Sequence, residues 1–560
     1  MERQWWQDAI IYQIYLRSFK DANQDGIGDF KGLISKLDYL SNLGINAIWV
    51  SPHYQSPMDD NGYDISDFYK VSKDYGTLDD VKEFIKKAHQ LKMKVIFDLV
   101  LNHTSDEHEW FKAAKNPEHP NHQKYHDYYI WQKPKYNHNG KRQMPTQWRS
   151  WFGGPVWEYN ELTNEYYLHI FSKKMPDLNW RNETMKNDLK TITKWWIDLG
   201  VDGFRVDASN HLEKDWRFPE GNPGYEYFSS LPKHHEYLAE FGSEIFKPNR
   251  IMAMGEAGGA TKEEALKYCG FDSDEFDMLI HFGHCWADCD DSNHLTPGKW
   301  SKGYLNVNSI KNSFDRWFNM LYKNGWNLIY WHNHDHPRIV SHYGNDKQYH
   351  LQSAKMLAYT LYLMPGTPII YQGEEIGMTN VDYQNLSDFR DVEVYTEYQN
   401  FINFGATHEV AMQALRDRAR DNARSPFQWS DDLYAGFSKV EPWMKVNNNY
   451  HNLNLKAQEN KKKSIYSTYK ELLKLRKTAG LNNGVLRFVN MENEDLFIYI
   501  NETKKAKYLV ISNFRNKDVS VDLREDINDY KILYFNYKKK KLTKQITLLP
   551  YECLVYIFKK

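Results

Sequence analysis

Three apolar stretches of the chain each lead into a single carboxylate at the end of a predicted strand. Asp207 ends the run Gly-Phe-Arg-Val-Asp, Glu256 ends Met-Ala-Met-Gly-Glu, and Asp335 ends His-Asn-His-Asp. Buried parallel strands open their carboxyl ends at one mouth of a barrel, and an acid there must be hydrogen-bonded, neutralised or used in chemistry. An ionised carboxylate beside a protonated one is the pair that cleaves a glycosidic bond.

Other charged residues bear on how these acids are used. Arg205 precedes Asp207 by two residues, so both side chains share one face of a strand, and we expect Arg205 to keep Asp207 ionised. Asp98 in an earlier apolar run, and Glu374 and Glu375 after a later one, are competing acids that spacing alone does not exclude.

The segment 21–29 places oxygen-bearing residues at every second position, with Gly26 at the sixth position for a sharp turn. This pattern predicts an oxygen cage for a hard cation, and we expect structural Ca²⁺. Gly32 occupies the twelfth position, where an EF-hand has glutamate, so the loop is not an EF-hand. Mg²⁺ and a metal-free acidic turn are the alternatives. The predicted ligands are Asp21, Asn23, Asp25, the Ile27 carbonyl and Asp29.

Histidines allow a rival chemistry, a zinc site. His332, His334 and His336 could bind catalytic zinc, but they share one face only if the strand continues through them. A second group could do the same, although a loop with free thiols is the simpler interpretation. It consists of His281, His284, Cys285 and Cys289.

Eight nearly continuous apolar runs alternate with helical patterns over the first 480 residues, as parallel strands buried on both faces would. Thr77 and Asp80 form a predicted capping box, and one helix is expected from Leu33 to Leu43 before Gly44. The pattern predicts a (β/α)₈ barrel. The eight predicted strands are residues 9–19, 45–51, 94–102, 201–208, 251–256, 277–282, 327–333 and 367–374.

Two polar excursions and a change of pattern divide the chain into parts. Residues 104–172 are too long and too aromatic for a simple loop, and we predict a subdomain inserted after the third strand. A second excursion, at about 379–432, follows the eighth strand. Residues 481–560 show short alternating strands, which predicts a C-terminal antiparallel β-sandwich. The barrel itself is assigned to residues 1–103 and 173–480.

Composition narrows the class of protein. Of 560 residues, 41% are hydrophobic and 26% charged, which is typical of a globular protein. The net charge of −2 argues against nucleic acid as a partner, and no apolar run is long enough to span a membrane. Four cysteines and a start without an apolar stretch predict a reducing, cytoplasmic location. Aromatic residues make up 16% and suit flat, hydroxylated ligands such as sugars.

With these residues in order, the chain resembles the α-amylase family of glycoside hydrolases, over essentially its whole length. The family's motifs are matched by 98–103 (Asp-Leu-Val-Leu-Asn-His), 175–179 (Met-Pro-Asp-Leu-Asn), 203–207, Glu256 and 333–335. Further segments resemble its oligo-1,6-glucosidase and α-glucosidase branch: 6–19, 59–64 (Asp-Asp-Asn-Gly-Tyr-Asp), 371–378 and 420–424 (Arg-Asp-Asn-Ala-Arg).

The resemblance implies a role for each strand-end acid. Asp207 would be the nucleophile, Glu256 the general acid and base, and Asp335 the stabiliser of the transition state. It also implies that His103 and His334 bind the sugar to be transferred. A barrel that has lost catalysis would be expected to lack one of the three acids, so we expect an enzyme.

The resemblance further implies how substrate is held. Tyr63 and Phe152 match the family's aromatic floor and wall, and Asp60 with Arg424 matches an ion pair that closes the pocket bottom. A closed bottom implies exo action on short oligosaccharides, releasing α-glucose. The 21–29 loop matches this branch's calcium loop, and no organic cofactor is expected. We expect a monomer or a weak homo-oligomer.

Two residues bear on the linkage preference. Ala208, where α-1,6-preferring members carry Val, and Met175, where they carry Gln, favour α-1,4 linkages. Ala208 and the neighbouring Arg205 are both predicted substrate-site residues. The alternatives are an oligo-1,6-glucosidase and a sucrose-cleaving or transglucosylating relative, with isomerisation not expected as the main reaction.

Overall fold

The computed structural model describes residues 3–525 and 528–560, and its centre is a barrel of parallel strands. Its strands are β1 (Ile11–Ile14), β2 (Ala47–Val50), β3 (Lys94–Val100), β4 (Gly203–Asp207), β5 (Met252–Glu256), β6 (Met278–Ile280), β7 (Leu328–Ile329) and β8 (Thr367–Tyr371). The ladders join these strands in the order β6-β5-β4-β3-β2-β1-β8-β7. Tyr330, just after β7, donates to the carbonyl of His281, just after β6, at 2.7 Å and so ties the two end strands together.

All eight predicted strands are present, and the predicted (β/α)₈ fold is confirmed. Residues on one face of the strands, such as Ile11 and Ile96, fill the barrel, and their neighbours pack outward against the helices. The seventh strand is shorter than predicted, because residues after Tyr330 turn into a loop in which Asn333 Oδ1 accepts from the Asp335 amide at 2.8 Å.

The helices surround this barrel. Thr77 and Asp80 form the predicted capping box. The single helix expected from Leu33 to Leu43 is instead two helices, because the chain turns at Ser35, whose hydroxyl donates to the Gly32 carbonyl at 2.6 Å. The helices are Phe30–Ile34, Leu37–Leu43, Leu78–Gln90, Glu109–Ala114, His122–His126, Glu183–Asp198, His234–Phe241, Ala265–Cys269, Val307–Leu321, Ile339–His342, His350–Tyr362, Val392–Asn403, His408–Arg418, Asp421–Arg424 and Ile465–Ala479.

Three excursions rise from the carboxyl ends of the strands. The excursion after β3 holds a three-stranded antiparallel sheet in the order Trp131–Gln132, Glu165–Leu168, Trp157–Asn160, with its own aromatic core. The excursion after β8 is helical and also has a core. A small hairpin after β2, Tyr54–Gln55 with Asp67–Val71, was not predicted. Its connecting loop carries Asp60 and Tyr63.

The C-terminal part is an antiparallel β-sandwich, as predicted. Its strands are β9 (Val485–Phe488), β10 (Leu496–Glu502), β11 (Ala506–Asn513), β12 (Val519–Asp522), β13 (Tyr530–Phe535), β14 (Gln545–Leu548) and β15 (Cys553–Lys559). The larger sheet has the order β9-β10-β11-β15-β13. The smaller sheet pairs β12 with β14, and the two sheets share an apolar core. In residues 3–525 and 528–560, no helix is both long and apolar enough to cross a membrane. The exact boundaries of the three parts stay predictions.

Candidate active site

A cavity of about 860 Å³ opens at the carboxyl ends of the barrel strands, a volume suited to a small ligand. Strand ends supply its floor, and its walls come from the three excursions together with the loops after β4, β5 and β6. Arg205 and Arg424 lie behind the wall rather than in it. The predicted residues that line the cavity are Asp60, Tyr63, His103, Phe152, Asp207, Ala208, Glu256, His334 and Asp335.

One buried guanidinium organises the carboxylates on the floor. Arg205 contacts Asp207 at 2.7 Å and Asp98 at 2.5 Å through Nη1, and Glu256 at 2.9 Å through Nη2. Ala208 holds φ at +46°, and its N–H donates to the second oxygen of Glu256 at 3.1 Å. Asp207 and Glu256, 49 positions apart in the chain, therefore belong to one cluster.

Charge in this cluster differs from the sequence prediction. Burial raises the pKa of Asp207 well above its usual range, while Arg205 lowers it and Glu256 and Asp98 raise it further. We expected Arg205 to keep Asp207 ionised. That expectation was incomplete, because one guanidinium faces three carboxylates in a buried site. The cluster therefore retains a proton more readily than separate surface carboxyls would.

The pKa of Asp335 is shifted in the opposite direction to that of Asp207. Burial raises its pKa, but the contact with the neutral ring of His334 at 3.1 Å and the positive charges of Arg420 and Arg424 outweigh burial and hold the pKa well below its usual range. Arg424 Nη2 lies 2.9 Å from Asp335 Oδ1, and Arg420 Nη1 lies 3.3 Å from the same oxygen. Asp335 is thus a fixed negative charge in the cavity, separate from the protonatable cluster around Arg205.

The ion pair predicted between Asp60 and Arg424 has a different partner. Asp60 Oδ1 contacts Arg420 Nη2 at 3.0 Å, whereas Arg424 turns to Asp335. Asp391, buried beneath both arginines, explains the choice, because it contacts Arg420 Nε at 2.5 Å and aims that guanidinium into the cavity. Arg420 lines the cavity and was missed as a site residue, although the quoted 420–424 segment contained it.

The two predicted sugar-binding histidines are buried and differ in their contacts. Burial lowers the pKa of His103 to about 3 and that of His334 well below its usual range, which keeps both rings neutral. His334 stacks on Tyr63 with ring planes 2° apart, and its Nε2 lies 2.6 Å from the Tyr63 hydroxyl. Gln13 contacts Nδ1 of His334 at 2.8 Å, so the ring is fixed from both sides.

The competing acids do not line the cavity. Glu374 accepts hydrogen bonds from Tyr362 at 2.6 Å and Tyr469 at 2.7 Å, and Glu375 accepts one from Tyr12 at 2.7 Å. Their partners lie on the barrel and on helices outside the cavity, so both glutamates are structural. Asp98 lies under the floor, where it supports Arg205.

The zinc interpretations are not supported by the geometry. His332 lies 3.4 Å from Glu374, while His334 contacts Tyr63 and His336 contacts Asn333 at 2.7 Å, so the three rings do not meet at one point. Within residues 3–525 and 528–560, no three or more His, Cys, Asp or Glu side chains are already arranged around one point as metal ligands, and this includes the carboxylates of the 21–29 loop.

The 21–29 loop folds as a tight turn with its carboxylates directed at backbone N–H groups. Asp21 accepts from the amides of Gln24 and Gly26, and Asp29 accepts from those of Ala22 and Gly32. Both aspartates are buried. The donor chemistry is entirely oxygen, which suits a hard cation, and the loop lies away from the cavity.

A deep cavity with paired carboxylates at the mouth of a (β/α)₈ barrel is the site of a glycoside hydrolase. The chain belongs to the α-amylase family: the model described as "Alpha amylase, catalytic domain" matches residues 13–484. The model described as "Alpha-amylase SusG C-terminal domain" matches residues 496–555.

Individual relatives indicate which branch of the α-amylase family the chain is most similar to. The chain is 43% identical to an oligo-1,6-glucosidase of Bacillus cereus over 575 residues, covering 100% of both chains. It is 40% identical to an α-glucosidase of Pediococcus pentosaceus, covering 99% of this chain and 98% of the relative. Among solved structures, trehalose-6-phosphate hydrolase of Bacillus licheniformis superposes with a TM-score of 0.92 at 38% identity, covering 100% of both chains.

Proposed function

We propose that the protein is a retaining exo-α-glucosidase that removes α-glucose from short α-1,6-linked glucose oligosaccharides. The observation that carries the linkage is the similarity over the full length to oligo-1,6-glucosidases, at 43% identity for the Bacillus cereus enzyme. This similarity favours the α-1,6 alternative over the α-1,4 preference expected from the sequence. The organisation of the cavity supports the rest of the proposal.

In the proposed first step, Asp207 attacks the anomeric carbon and forms a C1–O ester as the glycosidic C1–O bond breaks. Glu256 gives its proton to the leaving oxygen. In the second step, Glu256 takes a proton from water, whose oxygen attacks C1 and displaces Asp207. Two inversions return the α-anomer. The shared contacts of both acids with Arg205 support this pairing.

Asp335 is proposed to stabilise the transition state. Its carboxylate is held ionised by two guanidiniums and faces a cavity in which positive charge develops on the sugar ring. Neutral His103 and His334 supply hydrogen bonds without adding positive charge beside an oxocarbenium-like sugar. Tyr63 offers an aromatic face to the same sugar.

The inference of exo action rests on an ion pair at one end of the cavity, here called the closed end. The ion pair of Asp60 and Arg420 spans that end at 3.0 Å, and Phe152 covers Arg420, whose guanidinium carbon lies 4.7 Å from the ring centroid. A chain cannot pass through such a closure, so only a terminal glucose is bound there. The paired carboxylate and guanidinium can both bond to its hydroxyl groups.

An α-1,4 preference is the second candidate, because Ala208 and Met175 both line the cavity. Ala208 follows the proposed nucleophile directly, and its methyl group leaves room beside the scissile bond. That space would accommodate the differently oriented second sugar of maltose.

The linkage proposal predicts that isomaltose is hydrolysed with at least a tenfold higher kcat/KM than maltose. Parallel rate measurements on the two disaccharides, with NMR detection of the released anomer, test it. Ala208→Val should raise the ratio of isomaltose to maltose further, by filling the space beside the bond. A melting curve of that variant controls for strain, since a β-branched residue is unfavourable at φ +46°. A preference for maltose in the parent enzyme would establish the second candidate. If β-glucose were the anomer released initially, the proposed retaining mechanism would be refuted.

We propose that the 21–29 loop holds structural Ca²⁺ through Asp21, Asn23, Asp25, the Ile27 carbonyl and Asp29. The ion would neutralise three carboxylates in one turn and stabilise the folded state.

Chelation is therefore expected to lower the melting temperature by about 3–5 °C, with little loss of initial activity at room temperature. Scanning calorimetry with EDTA and with added CaCl₂ or MgCl₂ measures the shift and its selectivity. Asp25→Ala should abolish the shift, whereas Asp431→Ala, which removes an exposed acid elsewhere, should preserve it. A melting temperature indifferent to chelation in the parent enzyme would reject the site.

A further inference from the structure

An aromatic pair stands at the wall of the cavity and has no part in the mechanism above. Trp151 stacks on Tyr225 with ring centroids 4.1 Å apart and planes 7° apart, and both residues line the cavity. Trp151 remains 38% exposed, although a tryptophan is among the most costly side chains to leave in water. One face of the indole is covered by Tyr225, so the exposed part of the ring is available to a ligand.

Backbone hydrogen bonds anchor the segments that carry the two rings. The Trp151 N–H donates to the Ile170 carbonyl at 2.9 Å, within the inserted subdomain. The Arg149 N–H donates to the Pro223 carbonyl at 2.8 Å, which joins this segment to the loop that carries Tyr225. The pair is therefore formed by the inserted subdomain and the loop after β4, which are tied together next to it, and it is organised before substrate arrives.

The position of the pair relative to the closed end sets its role. Phe152, the next residue, lies against Arg420 at the closed end of the cavity. Trp151 instead faces the loop after β4, where the polar side chains of Asn210, Glu226 and Ser229 also line the cavity. An exposed aromatic surface in a cavity that also presents an amide, a carboxylate and a hydroxyl is suited to the apolar face and the hydroxyl groups of a sugar.

We propose that the Trp151–Tyr225 platform binds the third glucose unit of an oligosaccharide, beyond the two units that flank the scissile bond. The inference rests on the proposed glucosidase activity and specifies its chain-length preference. A disaccharide places its two units at the bond and does not reach the platform. A trisaccharide does reach it and gains the stacking contact, in the transition state as in the ground state. The enzyme therefore prefers trisaccharides to disaccharides.

The test compares kcat/KM for isomaltotriose with that for isomaltose. Trp151→Ala is expected to lower the ratio about tenfold, equivalent to about 1.4 kcal/mol of lost contact. Trp151→Phe, which keeps an aromatic face, should retain most of the ratio. Tyr225→Ala should lower the ratio by a smaller factor, because it removes the support of the indole. Tyr322→Ala, at an exposed tyrosine outside the cavity, is the matched control and should change neither rate.

The outcomes separate this inference from the proposed activity. An unchanged ratio in folded Trp151→Ala would overturn the platform, as would an equal loss on both substrates. If Trp151→Ala fails to fold, the same criterion applies to Trp151→Phe and Tyr225→Ala: an unaltered ratio in both overturns the platform. A parent enzyme without activity on either sugar would instead refute the proposed function, and a direct binding measurement with isomaltotriose would then still report on the platform.

Discussion

Asp207→Asn is expected to lower turnover on any glucoside substrate by about ten-thousand-fold or more. An amide oxygen is a far weaker nucleophile than a carboxylate, so the glycosyl ester cannot form at a useful rate. The amide is nearly the same size, and its oxygen can still accept from Arg205 Nη1, which lies 2.7 Å from Asp207 Oδ1 in the parent site. The loss should therefore be chemical rather than structural.

Stability provides the control for this variant. Three carboxyl groups face the single guanidinium of Arg205, so replacing one of them with a neutral amide relieves repulsion within a buried cluster. The melting temperature of Asp207→Asn should equal or exceed that of the parent. Asp198→Asn, at an exposed helix position, makes the same chemical change away from the site and should keep full activity.

Rescue by azide identifies the face of attack. In Asp207→Ala, azide can occupy the vacated space and attack the anomeric carbon of an activated α-glucoside as the leaving group departs. The product would be β-glucosyl azide, identified by NMR. Turnover near the parent level in Asp207→Asn, or α-glucosyl azide from Asp207→Ala, would contradict the assignment of Asp207 as the nucleophile.

The barrel and its three acids could be predicted because their signals are local. A buried parallel strand needs a continuous apolar run, and a strand-end acid follows that run directly, as Asp207 and Glu256 do. Once eight such runs alternate with helical patterns, the fold brings the acids together. The break at Ser35 and the early end of β7 were missed, because they depend on single hydrogen bonds that a residue pattern does not encode.

The walls of the cavity could not be predicted in the same way. Asp60 and Arg420 are 360 positions apart, and their pairing depends on Asp391, which aims the guanidinium from behind. Nothing local distinguishes Arg420 from Arg424, so the sequence alone suggested the wrong partner. Trp151 was not singled out for the same reason, because its exposure and its contact with Tyr225 exist only after the inserted subdomain meets the loop after β4.

The charge of the site shows where a pairwise argument stops short. Arg205 and Asp207 share a strand face, as the two-residue period predicts, and they are in contact. Yet burial and two further carboxylates change the outcome, because protonation is a property of the whole cluster. Retaining hydrolysis requires such a cluster to carry one proton for the leaving group while the nucleophile stays free to attack.

Glu256→Gln is expected to separate substrates by the basicity of their leaving groups. The sugar leaving group of a natural disaccharide needs a proton as the bond breaks, so its kcat/KM should fall about a hundredfold to ten-thousand-fold. A glucosyl fluoride or dinitrophenyl glucoside has a leaving group that departs as a stable anion. Its kcat/KM, which reports the first step, should fall by less than tenfold.

The same variant should slow the second step for every substrate, because Glu256 also activates water. A glucosyl ester on Asp207 would then accumulate with the activated substrates and appear as a burst of leaving group followed by slow turnover. Azide, which needs no general base, should restore turnover and yield α-glucosyl azide. Asp335→Asn is the matched control: it weakens stabilisation of charge on the sugar itself, so it should slow good and poor leaving groups by similar factors. If Glu256→Gln behaved like Asp335→Asn, Glu256 would be an electrostatic residue, and the proton donor would have to be sought among the other acids of the Arg205 cluster.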